Sequence, residues 1–161
     1  MTTDTLTIAD FIMARIDEDE EMAMDGAGWD ASGRERSSGR WKRDGLNSVR
    51  DNEGRLIIYG DGPAPGDAEV AHIARHDPAR VLAQCKAHRA IVELHWVCRV
   101  SIWWPEVEAI EVEVCVMCSG GEYDPDEDVK WPCPTLRALA AIWSDHDDYR
   151  REEWSACPPT R

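Results

Sequence analysis

Apolar residues recur along this chain with two periods, and each marks a different kind of element. Near the N-terminus Ile8, Phe11, Ile12 and Ile16 fall at three- and four-residue steps ahead of the acidic run Asp17 to Glu21. That spacing predicts an amphipathic helix from about Ile8 to Met24, with Thr7 as its N-cap and the acidic run as a solvated face. A second helical stripe, Val81, Leu82, Cys85, His88, Val92 and His95, predicts a long helix that opens with Asp77 as N-cap and Pro78 as first helical residue and reaches about His95. A shorter helix, Asp67 to about His76, precedes it after the Gly- and Pro-broken stretch 60–66. Strand-like runs Trp41 to Val49 and Arg55 to Tyr59 flank Arg50-Asp-Asn-Glu-Gly54 and predict a β-hairpin. Further on, Val97 to Trp104 and Val107 to Val116 read as strands; in the second, Ile110, Val112, Val114 and Val116 alternate with Glu111 and Glu113, giving one buried and one wet face. A last helical run carries Leu136, Leu139, Ala140 and Trp143 to about Ser144, and a short helix closes at Trp154.

Cysteines cluster where these late elements meet. Cys115 and Cys118 are two residues apart and are followed by Gly120 and Gly121, which permit the tight turn that aims backbone amides at thiolate sulfurs. Cys133 sits at the N-cap position of the helix that starts with Pro134, where the positive end of the helix favours a thiolate. Three thiols at this spacing have the shape of a zinc knuckle, and tetrahedral Zn2+ needs a fourth ligand. His95 at the end of the long helix is the first candidate and Cys98 its alternative. The set His95, Cys115, Cys118 and Cys133 predicts a structural zinc site, weighed against inert buried thiols and against a redox pair. The redox reading fits poorly, because a thioredoxin-like motif opens a helix after a strand, whereas here glycines follow the second cysteine. Cys85 and Cys157 are left as spare thiols. The expected architecture is α+β: a small helical domain with a β-hairpin and a zinc-knuckle hairpin leading into a C-terminal helix.

Composition narrows the function classes. With 161 residues and 43% hydrophobic content the chain can form a single domain with one core, and eight tryptophans supply its bulk. A formal charge of −14 argues against general nucleic-acid or membrane binding. No run approaches the roughly 18 apolar residues of a membrane span, and the first residues lack the basic start of a secretory signal, so a reducing cytoplasmic setting is expected. The stretch 25–40, rich in Gly, Ser and Arg, reads as a mobile loop, and 155–161 as a flexible tail. Against the acidic background, Arg34, Arg36, Arg40, Lys42, Arg43 and Arg50 form a basic patch faced only by Glu35 and Asp44. The bland account of that patch is a solvated loop or a counterpart to acidic side chains of the same chain. The loop 122–128 holds five carboxylates without the spacing of a calcium loop.

Three stretches carry a resemblance: 9–20, the run from Ala71 to Leu82 with Arg75-His-Asp-Pro-Ala-Arg80 at its centre, and Cys133-Pro-Thr-Leu-Arg-Ala-Leu-Ala140 followed by Asp145-His-Asp-Asp-Tyr149 and Glu153-Trp154. In these the chain resembles a family of small proteins of actinobacteria and their phages that carries a domain of unknown function. The resemblance extends to a CxxC before the Cys133 segment and brings no activity, substrate or catalytic residue with it. The expected function is a small acidic zinc-stabilised module that binds a macromolecular partner, a protein rather than nucleic acid or a membrane. The alternatives are an acidic mimic of DNA, and a metal-dependent hydrolase or nuclease using His72, His76 and Asp77 or the acidic cluster at His146. Oligomeric state stays open at this stage.

Overall fold

A computed structural model describes residues 6–30, 32–45, 47–58, 65–104, 107–119 and 131–155. Gly120, Gly121, the acidic loop 122–128 and Cys157 with the tail beyond 155 lie outside the described residues. The class is α+β, as expected. Segments 1–15 and 88–161 make one compact unit and 16–87 a second; the division falls within the helices α1 (Ile8–Ala27) and α3 (Pro78–Leu94).

In the unit 16–87, β1 (Trp41–Asp44), β2 (Ser48–Asp51) and β3 (Leu56–Ile58) form an antiparallel sheet in the order β1-β2-β3. The sequence predicts one strand over 41–49; the structure breaks that run after Asp44 and folds it back, with Asn47 in the left-handed region at φ 55°. Asp44-Gly45 with Asn47 two residues on is strong turn chemistry, and it overrides the strand-like run around it. Arg50 and Asp51, expected in a turn, therefore lie in β2 and pair with Lys42 and Trp41. The helix α2 (Asp67–Arg75) starts where the Glu69 carboxylate accepts the Gly66 N–H at 2.7 Å. Asp77 caps α3 as predicted, Oδ1 accepting the Arg80 N–H at 2.8 Å while Oδ2 accepts the Trp41 N–H at 3.1 Å and ties the sheet to the helix. Ile16, Ala23, Ala27, Val49, Val70 and Cys85 are buried here.

The stretch 25–40 is laced with bonds. Trp29 and Arg36 form an isolated antiparallel bridge, the Arg36 guanidinium stacks 4.7 Å from the Trp29 ring and donates to the Met24 carbonyl at 2.9 Å, and Asp30 accepts the Arg34 and Glu35 N–H groups.

The other unit is built on Phe11, whose ring lies 5.0 Å from that of Trp154 and 6.0 Å from that of Tyr149. Trp154, on α5 (Arg151–Trp154), is buried together with Ile8, Ile12 and, on α4 (Pro134–Ala140), Leu136 and Ala140. The predicted C-terminal helix tightens into a 3₁₀ turn at Ala141–Trp143. Between α3 and the knuckle runs the antiparallel hairpin of β4 (Val97–Trp104) and β5 (Val107–Cys115). Burial fades along β5, from Val114 at 4% exposed to Ile110 at 52%, so the apolar face expected along the whole strand is buried only at its knuckle end.

Candidate metal centre

Three elements converge on one point. The helix α3 ends at Leu94, and His95 follows with its N–H still bonded back to the carbonyls of Ile91 and Val92, so the imidazole is carried on the last helical turn. Cys115 is the last residue of β5, and the chain turns there: the N–H groups of Cys118 and Ser119 both donate to the Cys115 carbonyl, at 3.1 and 3.0 Å. That turn brings Cys118 back beside Cys115. Cys133 occupies the extended N-cap position before Pro134 and is fully buried.

The ligand atoms of His95, Cys115, Cys118 and Cys133 all lie within 4.8 Å of one another, so the group could hold a metal ion; none of the three cysteines is in a disulfide. His95 Nδ1 stands 3.4 Å from the Cys115 sulfur, 3.5 Å from that of Cys118 and 3.5 Å from that of Cys133. An imidazole nitrogen has one lone pair or one hydrogen, so it engages one thiol at a time, and hydrogen bonding alone does not explain three equal approaches. A shared cation would. A tetrahedral ion with bonds of about 2.3 Å to sulfur and about 2.0–2.1 Å to nitrogen sets each nitrogen–sulfur separation near 3.6 Å.

Without a cation Cys115 and Cys118 hold their protons more tightly than a free cysteine. Burial pushes the Cys118 thiol up to about 12, helped by the hydrogen bond with Cys115 and the charge of Cys133; burial likewise raises Cys115. A metal bound here displaces those protons, because thiolates are the ligands.

The sequence leaves His95 and Cys98 open as the fourth member, and strand register separates them. Val97 pairs with Cys115 and Cys98 with Val114, so Cys98 is on the opposite face of the ribbon from Cys115 and is not in the group. Among the described residues this is the one group of three or more metal-capable side chains that comes together. The His72 and His76 rings do approach, at 4.4 Å between centroids, but both carboxylate oxygens of Asp77 accept backbone N–H groups and do not complete a site with them. Around His146 the neighbours are the buried Arg15, whose guanidinium contacts the ring, and Asp148 at 3.8 Å.

The basic patch is also engaged within the chain. Arg36 pairs with Asp25, Arg43 with Asp67 at 2.6 Å, and Arg50 with Asp44 while donating to the Gly54 carbonyl at 2.9 Å.

The chain belongs to a family of unknown function, DUF6221, which matches it over residues 5–156. No curated protein and no solved structure matches it. No helix among the described residues is long and apolar enough to cross a membrane.

Proposed function

We propose that His95, Cys115, Cys118 and Cys133 bind one structural zinc ion and that the folded chain acts as an intracellular module binding a protein partner. The observation that carries the zinc reading is the convergence of three thiols on a single imidazole nitrogen at tetrahedral-edge distances. Three sulfurs and one nitrogen suit zinc among the common divalent ions, whereas calcium and magnesium take oxygen. All four coordination places would be filled by protein side chains, which leaves no position for a water or substrate and separates structural from catalytic zinc.

The magnitudes make such a metal a folding ligand. Structural zinc binds small peptides with an apparent free energy of about 10–16 kcal/mol, comparable with the 5–15 kcal/mol that stabilises a whole domain. The binding role follows from what surrounds the metal: Leu94, Trp96 and Met117, each within a residue of a ligand, are half or more exposed. Exposed large apolar side chains beside a rigid centre suit a protein interface better than a phosphate surface, which the net charge of −14 repels. Isothermal titration of the metal-free chain tests the metal reading: stoichiometric, tight Zn2+ binding with release of protons is expected, and weak binding without proton release would overturn it.

A further inference from the structure

The hairpin of β4 and β5 is a two-stranded sheet on which, among the described residues, no other helix or strand packs broadly. Two strands alone are marginal in water, and stability comes from a third strand or a covering layer. Backbone alternation shows which edge is open. The Val116 N–H donates across the ribbon to the Trp96 carbonyl at 3.2 Å, so the next antiparallel pairs along, Val97 with Cys115 and Arg99 with Glu113, turn their amides and carbonyls outward. On the β5 side the outward Glu113 carbonyl is met by the Trp131 N–H at 2.9 Å. On the β4 side the outward groups of Val97, Arg99 and Ser101 have no backbone partner among the described residues. A row of this kind is a template for another strand.

We propose that β4 pairs with β4 of a second copy of this chain, antiparallel about a twofold axis at Val100, to give a four-stranded sheet in the order β5-β4-β4-β5. The strand is self-complementary in that register. Outward groups must meet outward groups, which any axis centred on a residue satisfies; of these, an axis at Val100 sets Arg99 opposite Ser101 of the other copy, so the two arginines do not face each other as they would with the axis at Arg99. Charge does not oppose the seam: from Val97 to Ser101 the strand holds no carboxylate, and its one charged side chain, Arg99, is paired with Glu113 of its own β5 at 3.1 Å. The register shift between Ile102 and Trp104 limits the seam to the knuckle-proximal part of β4.

Sedimentation of the full chain tests this. A species of about twice 18.2 kDa is expected, forming more readily as salt is raised, because each copy carries −14. Ser101→Pro removes an outward N–H that the β4–β5 ladder does not use, so it should give a monomer with unchanged circular dichroism. Should that variant fail to fold, Val100→Lys, which sets two ammonium groups together on the axis at a half-buried position, must still yield the monomer. A wild-type chain that sediments as a monomer at all concentrations, or a dimer that survives folded Ser101→Pro or Val100→Lys, overturns the proposal.

Discussion

Asp51 closes β2 with its carboxylate fully buried, one oxygen accepting the Arg55 N–H at 2.7 Å and the other facing the Arg55 guanidinium. Burial by itself would raise this carboxyl, but the Arg55 hydrogen bonds and charge outweigh it and hold it below the ordinary aspartate range. A depressed acid stabilises the fold above its unfolded value, about 4, and loses that contribution as pH falls through its folded value. Asp51→Asn should therefore cost about 1–3 kcal/mol in urea unfolding at neutral pH, with the gap to wild type closing in acid. Gly39 gives a steric counterpart. Its φ is +66°, and a Cβ there would stand 3.0 Å from Pro78 Cβ and 3.2 Å from both Ala27 Cβ and the Ala79 nitrogen. Gly39→Ala should destabilise by about 1–3 kcal/mol, read as a lower melting temperature, whereas Gly33→Ala, with open space around it, should lose only the cost of its positive φ. Neither role was legible in the sequence: Gly39 is constrained by Ala27 and Pro78, distant along the chain, and Asp51, although its partner Arg55 is only four residues on, read as a turn residue rather than the buried end of a strand. The choice between His95 and Cys98 had the same character: spacing offered both, and only the Val97–Cys115 register puts Cys98 on the wrong face.

Elements were more legible than residues where one period dominates. β4 spans the expected residues and Pro78 opens α3 as its N-cap predicts, since period two and the Asp-Pro signal each stand alone there. The run 41–49 misled because its apolar content reads as one strand while Asp44, Gly45 and Asn47 encode a turn inside it. The knuckle joins a helix end, a strand end and a helix start, which makes those elements interdependent if zinc is bound. Chelator treatment should then increase acrylamide quenching of Trp131 and Trp143, both partly buried and close in sequence to Cys133 or on the turn that follows α4. Acid should have the same effect, because protons compete with zinc for the thiols. Cys85→Ser should leave quenching unchanged; Cys85 is buried in α3 and is not in the group.

The chain carries −14, and arginines of the basic patch are paired with Asp25, Asp44 and Asp67 of the same chain. No salt-sensitive binding to a generic DNA duplex is expected at physiological salt; micromolar binding abolished by reversing Arg40, Lys42 and Arg43 would contradict this. The proposed zinc at the thiol–imidazole cluster would hold the fold. Elemental analysis of the chain purified without chelator, beside Cys118→Ser, tests it most directly. About one zinc per chain in the wild type, lost together with a marked fall in melting temperature in Cys118→Ser, is the predicted result. A wild-type chain without zinc, or a Cys118→Ser chain that keeps both its zinc and its melting temperature, would contradict it.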